Sequence, residues 1–368
     1  MRSAVMHLEA LARDEAPAVE AVRDAVRFLR RIQGETNTGT LTKTDASPVT
    51  VVDFALQAFL ISRLAHHFPG DPIVAEEDAA ALRTPAACSL RLRVVELVRQ
   101  MLAPHRAGVR GGDPALPNRE PEAEQVLAWI DRGGGACGHR FWTLDPIDGT
   151  KGLLRGGQYV IALALVIEGR VQVAGLGCPR LSMTSGPASP SAPADSPAHA
   201  VMMPLEEDAE GGVAIAVRDQ GAWWMSLRGG SLMHLSVSTE TSPTRARALH
   251  SSEPGHSDIG ECHRTLQALG TQTPPILMDS QAKHVLLATG AAELLLRFSI
   301  DPAYHEAIWD QAAGSLLIEE AGGRVTDIEG RCLDFTTGRR LLRNNGLIAS
   351  NGLLHDAVLD VVRQRIIR

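Results

Sequence analysis

Trp142-Thr143-Leu144-Asp145-Pro146-Ile147-Asp148-Gly149-Thr150-Lys151-Gly152 decides how the rest of the chain is read. It sets Asp145 and Asp148 three residues apart, with a proline after the first and Gly-Thr after the second. Carboxylates at that density repel one another unless a cation lies between them, and hard oxygen donors favour Mg2+ over softer metals. The Gly-Thr-Lys-Gly run adds backbone N–H groups and a hydroxyl, which suit a phosphate bound beside a metal. Metal and phosphate at one turn point to phosphoryl chemistry. As a bare pattern the same residues also fit an ordinary turn capped by Asp148.

Three other stretches bear on that choice. Upstream, Lys43-Thr44-Asp45-Ala46-Ser47-Pro48-Val49-Thr50-Val51-Val52-Asp53 leads into a helix whose apolar residues Leu56, Phe59, Leu60 and Leu64 keep helical spacing. Asp53 there is either a site acid or a first-turn carboxylate complementing the helix dipole. Ile73-Val74-Ala75-Glu76-Glu77-Asp78 reads as a short strand ending in three acids, so Glu76 is a strand-end ligand or part of a surface turn. In Ile308-Trp309-Asp310-Gln311-Ala312-Ala313-Gly314-Ser315, Asp310 opens an apolar helix running through Leu316, Leu317, Ile318 and Ala321, as a ligand or as its cap.

Composition narrows the classes. The 368 residues can bury one large core or two smaller ones. With 44% hydrophobic and 21% charged residues, the chain has the make-up of an ordinary water-soluble protein. A formal net charge of −7 argues against binding nucleic-acid polymers, whereas a small phosphorylated ligand can bind where metals and local cations set the field. Cys88, Cys137, Cys178, Cys262 and Cys332 are odd in number and widely spaced without a C-x-x-C, which fits a reducing cytoplasm and argues against a zinc site or a disulfide framework. Residues 1–9 lack a secretory apolar core, and no apolar stretch reaches the length of a membrane span.

Along the chain, amphipathic spacing predicts helices over residues 16–33, after Asp53, 94–102, 122–130, 262–269, 280–289 and 353–365. Apolar β-rich runs predict a hairpin over 159–168 and 171–176, a second over 213–217 and 222–227, and a strand over 293–298. Residues 179–204, rich in Ser, Pro and Ala, read as a surface insertion between an N-terminal half (1–178) and a C-terminal half (205–368). This order predicts layered α/β packing.

Taken together, the four acidic stretches resemble the lithium-sensitive, magnesium-dependent phosphomonoesterase superfamily typified by inositol monophosphatase, whose pattern is an "EE" strand end, D-P-[IL]-D-G-T and W-D-x-A-A-G. Lys43-Thr44-Asp45, Ser47-Pro48-Val49-Thr50, Arg155-Gly156-Gly157-Gln158-Tyr159, Ser252-Glu253-Pro254-Gly255-His256-Ser257 and Asp279-Ser280-Gln281-Ala282-Lys283 look like its bisphosphate-nucleotidase branch. The resemblance implies an α-β-α-β-α sandwich with its site at the seam between halves. It implies two or three Mg2+ ions, held by Glu76, Asp145, the Ile147 carbonyl, Asp148 and Asp310. It makes Asp53 and Thr150 a water-activating pair, and Thr150, His256, Ser280, Lys283, Arg297 and Asp310 the contacts to substrate, with Lys151 and Arg155 as weaker candidates. Lys283 and Ser280, three apart, are expected on one face of a helix.

The implied reaction is Mg2+-dependent removal of the 3′-phosphate from 3′-phosphoadenosine 5′-phosphate, with 3′-phosphoadenylyl sulfate as a further substrate. The expected protein is a monomer or homodimer that binds a phosphorylated nucleotide and neither membrane nor nucleic acid. Leu153 and His284 depart from the family's aromatic residues at those places, which bears on substrate preference. Two alternatives stay open: a sibling phosphatase of inositol phosphates, and a metal-binding regulator without turnover.

Overall fold

A computed structural model describes residues 14–32, 40–42, 48–106, 119–185, 200–204, 211–229, 231–251, 257–301 and 303–366. Helix α1 (Ala16–Ile32) precedes a ribbon of β1 (Thr40–Thr42) and β2 (Pro48–Thr50), which feeds α2 (Val51–His67). Next come β3 (Ile73–Ala75), α3 (Cys88–Leu102), α4 (Ala123–Asp131), β4 (Arg140–Asp148), the short α5 (Thr150–Leu154), β5 (Val160–Ile167) and β6 (Arg170–Cys178). A second ribbon, β7 (Leu181–Ser185) with β8 (Ala200–Pro204), leads to β9 (Gly212–Val217), β10 (Gly221–Ser226) and β11 (Met233–Leu235). The remainder is β12 (Ala248–His250), α6 (Ile259–Ala268), β13 (Ile276–Leu277), α7 (Ala282–Ala288), β14 (Leu294–Arg297), α8 (Ala312–Glu320), β15 (Arg324–Thr326), β16 (Leu347–Ser350) and α9 (His355–Ile366).

Two sheets organise these elements. The larger has seven strands in the order β11-β10-β9-β6-β5-β4-β3, antiparallel except for the β3/β4 pair. The smaller has five, in the order β13-β12-β14-β16-β15.

Strand alternation explains the layering. In β5, Ile161, Leu163 and Leu165 join a core with α1, α2, α3 and α4, while Val160, Ala162, Ala164 and Val166 face α7 and α8. A strand apolar on both faces must be covered on both. The same holds in β14: Leu295 packs inward on the α7–α8 layer, and Leu294 and Leu296 pack outward on α6 and α9. The result is α-β-α-β-α. Each buried Val, Leu and Ile among them contributes about 1.5–3 kcal/mol relative to exposure.

The large sheet continues past the 179–204 insertion, since β9 pairs with β6 in a run from Val173↔Val217 to Cys178↔Gly212. The changeover between sheets therefore falls in residues 236–247, later in the chain than the insertion. Of the insertion itself, 181–185 and 200–204 form an antiparallel ribbon, and 186–199 lie outside the described residues. Among the described residues no helix is long and apolar enough to cross a membrane.

Candidate active site

The Asp145–Asp148 stretch is a strand and not a simple turn. β4 lies between β3 and β5, and its register with β5 runs Asp145↔Ala162 and then Asp148↔Val160. Three steps on β4 therefore match two on β5, which inserts one extra residue. Pro146 sits in this irregularity, where its missing N–H breaks no regular ladder. In a regular strand, residues three apart point to opposite faces. The inserted residue turns Asp148 back to the side of Asp145.

Electrostatics confirm that convergence. Burial raises the pKa of Asp145 well above the usual carboxylate range, and the charges of Glu76, Asp148 and Asp310 add to it. Asp310 is raised by burial and then by Asp148 and Glu306, with Arg297 opposing. Asp148 is raised by burial, with Lys283 opposing. Asp145 is 2% exposed and Glu76, Asp148 and Asp310 are partly buried, so four acids from both sheets crowd together where water screens them poorly.

An all-oxygen set of mutually repelling buried acids fits a hard divalent cation in its chemistry. Among the described residues, however, no three such side chains stand as a ready-made ligand shell. Asp145 Oδ1 instead accepts the Ile147 N–H at 3.0 Å, and Asp148 Oδ2 accepts the Gln281 N–H at 2.6 Å.

Beside the acids lies a chain of hydrogen bonds. Thr50 caps α2, its hydroxyl oxygen accepting from the N–H groups of Val52 and Asp53, while Asp53 Oδ2 accepts the Thr50 N–H at 2.9 Å and the Thr50 hydroxyl. This reciprocal cap fixes the rotamer of Asp53. Its other oxygen, Oδ1, lies 3.1 Å from the Thr150 hydroxyl, which is also 3.2 Å from the Ile147 carbonyl. Gly149 makes this approach possible. Its φ is +96°, and a Cβ there would come within 2.9 Å of Ser280 Cβ.

The residues expected to contact substrate are engaged within the chain. Lys283 donates to the Met278 carbonyl at 3.2 Å, and burial lowers its pKa to about 8 against the pull of Asp148. Ser280 does not share a helix face with it. It precedes α7 in a left-handed conformation (φ +63°), where its hydroxyl accepts the Ala282 N–H, because the chain turns there to enter the helix. Arg297 is ion-paired with Glu306 at 2.7 Å, which offsets its burial. Arg155 pairs with Asp279 at 2.9 Å. His284 is buried and its pKa is pushed down to about 3, chiefly by burial, so it is a neutral side chain. His256 lies outside the described residues.

Gln281 was not singled out in the sequence, yet it ties the two sheets' acids together. Besides holding Asp148, it donates to the Trp309 carbonyl at 3.0 Å and accepts the Gly314 N–H at 3.2 Å. Only its place between Ser280 and Lys283 hinted at a role, since its backbone makes the decisive bond.

Five alternating layers with acids gathered at the seam are matched by relatives that make this chain a phosphoric monoester hydrolase. The chain belongs to the inositol monophosphatase family, whose model matches residues 7–366. It is 39% identical over 354 residues to the 3′(2′),5′-bisphosphate nucleotidase of Schizosaccharomyces pombe, covering 93% of each chain. It is 37% identical over 351 residues to the 3′(2′),5′-bisphosphate nucleotidase of Emericella nidulans, covering 94% of this chain and 96% of that one. A solved IMPase/NADP phosphatase complexed with Mg2+ and phosphate shares the fold at a TM-score of 0.53 and 18% identity, over 91% of this chain and 92% of that one.

Proposed function

We propose that this chain removes the 3′-phosphate of 3′-phosphoadenosine 5′-phosphate, leaving AMP, and that it does so in the cytoplasm as a monomer or homodimer. The observation that carries the reading is the Thr150 hydroxyl held 3.1 Å from Asp53 Oδ1 beside the crowded acids. A metal-binding regulator would have no use for that pair.

Glu76, Asp145, the Ile147 carbonyl, Asp148 and Asp310 would hold two or three Mg2+ ions, which when bound supply Lewis acidity and neutralise phosphate charge. The Mg2+ in the IMPase/NADP phosphatase named above supports that choice of ion. The chain's own residues then move the proton. Thr150 Oγ1, its hydrogen directed to Asp53 Oδ1, accepts a hydrogen bond from the attacking water and orients it. As the water's oxygen bonds to phosphorus and the bond from phosphorus to the 3′-oxygen breaks, the water's proton passes to Thr150 Oγ1, Thr150's proton passes to Asp53 Oδ1, and the departing 3′-oxygen takes a proton from solvent, giving AMP and phosphate. Lys283 and Arg297 offer positive charge to the non-reacting 5′-phosphate, with Ser280 and His256 as further contacts. The relatives in Schizosaccharomyces pombe and Emericella nidulans favour the nucleotide over inositol phosphates.

The test is phosphate release with Mg2+ from 3′-phosphoadenosine 5′-phosphate and from inositol 1-phosphate, side by side. The nucleotide should be turned over at least tenfold faster by kcat/KM. Preference for inositol 1-phosphate would move the chain to the sibling branch, and release from neither would overturn the enzymatic reading.

A further inference from the structure

Glu76 and Asp310 face one another across the seam, yet they leave different sheets. Glu76 follows β3 at the edge of the large sheet. Asp310 ends the 3-10 turn Ile308–Asp310, which follows the smaller sheet's β14 and leads into α8. Something must fix the distance between these two backbones.

Arg339 reaches both. Its Nη2 donates to the Ala75 carbonyl at 2.6 Å and its Nη1 to the Gly133 carbonyl at 3.3 Å. Gly133 O in turn accepts the Ala75 N–H at 2.7 Å, so the guanidinium grips the end of β3 one residue before Glu76. The same guanidinium carbon lies 4.7 Å from the centre of the Trp309 ring, one residue before Asp310. Its main chain is also fastened there, because Ile308 N–H donates to Arg339 O at 3.1 Å and Arg340 bridges to Ala307. One planar cation therefore touches the immediate neighbours of two acids from opposite halves of the site. A lysine could not do this, since a point charge offers neither a fork for two carbonyls nor a face for the indole.

We propose that Arg339 is a positioning residue that sets the separation of Glu76 and Asp310, and with it the affinity of the acid centre for divalent cations. It acts on the acids through their neighbours Ala75 and Trp309. The inference rests on the acid centre binding Mg2+ as read above, and it goes beyond that reading by assigning a determinant outside the centre. Part of Arg339 reaches solvent, and the part that packs on Trp309 is buried enough to lower its pKa.

The test is calorimetric titration of the full chain with Mg2+ for wild type, Arg339→Ala, Arg339→Lys and Arg218→Ala. Arg218 is the control: it also joins the large sheet to α8, through Glu319 at 2.7 Å, but away from the acids. Arg339→Ala should raise the Mg2+ Kd by roughly tenfold or more, as loss of an outer support of a metal site does. Arg339→Lys should resemble Arg339→Ala, and Arg218→Ala should stay within about twofold of wild type. At saturating Mg2+ the KM for the nucleotide should stay within about twofold in Arg339→Ala, because the proposed role acts on the metal ligands and not on the nucleotide. A Kd unchanged in Arg339→Ala, full rescue by lysine, or an equal loss in Arg218→Ala would overturn the proposal. A wild-type chain that binds Mg2+ but releases no phosphate overturns the functional reading alone, and the titration still decides the role of Arg339.

Discussion

Asp145 and Asp148 converge through features that a sequence motif does not display. The motif puts the two acids and the threonine in one stretch, because their chemistry is written in side chains at fixed spacing. What it could not display is the inserted residue that swings Asp148 back, or the Gln281 amide that holds it at 2.6 Å. Gln281 and Arg339 act through carbonyls and backbone N–H groups, and such bonds leave no residue-type signature. The Ser280–Lys283 spacing fails for a related reason: it is a helical spacing that begins two residues too early, before α7 has started. The two roles proposed for carboxylates separate under mutation. Asp145→Asn should abolish turnover and weaken Mg2+ binding at least tenfold, since it removes a shared charge from the centre. Asp53→Asn should lower kcat by about 10²–10⁴-fold while leaving Mg2+ affinity within roughly threefold. Calorimetry showing the reverse order of affinities would exchange their assignments.

At the scale of elements, length decided what could be read. Helices α1, α2 and α9 and strands β5 and β6 fall close to the residues predicted for them, because each carries enough periods for its apolar pattern to emerge. β12, β13, β15 and β16 are two to four residues long, too short for alternation to register. β4 hid behind Pro146, which ordinarily argues against a central strand. The first residue of α9 gives a test of packing between elements. His355 is fully buried, its Nε2 2.9 Å from the Thr326 hydroxyl of β15 and its Nδ1 2.9 Å from the Ser350 hydroxyl of β16. Burial, aided by Arg324 and opposed by Asp356, lowers its pKa to about 4. An unfolded histidine titrates near 6.5, so below that pH the unfolded chain binds the extra proton and stability falls as pH drops toward 4. The slope should be about 1.4 kcal/mol per pH unit from this residue. In His355→Gln that share of the slope should vanish in denaturation curves at pH 7, 6 and 5, and a slope unchanged by the substitution would show that His355 is not held neutral.

For the molecule as a whole, the acid centre couples cation, proton and fold. Asp145, Asp148 and Asp310 have raised pKa values. Without a cation, their contribution to stability is therefore present at low pH and lost as pH rises through those values. A cation must displace the protons they retain, so its binding strengthens with pH. Mg2+ at one hundred times its Kd should stabilise the fold by about 2.7 kcal/mol. The resulting rise in Tm at a fixed Mg2+ concentration should be larger at pH 8 than at pH 5. Equal shifts at both pH values, against chelator controls, would mean that these acids are not the ligands. The bonds that close the centre span long stretches of chain: 97 residues from Asp53 to Thr150, 133 from Asp148 to Gln281 and 264 from Ala75 to Arg339. Such a centre is not modular. A cut at residues 236–247 leaves Asp53, Glu76, Asp145, Asp148 and Thr150 on one fragment and Gln281, Asp310 and Arg339 on the other. Neither piece carries a complete site, so the two halves must be kept as one heritable and structural unit.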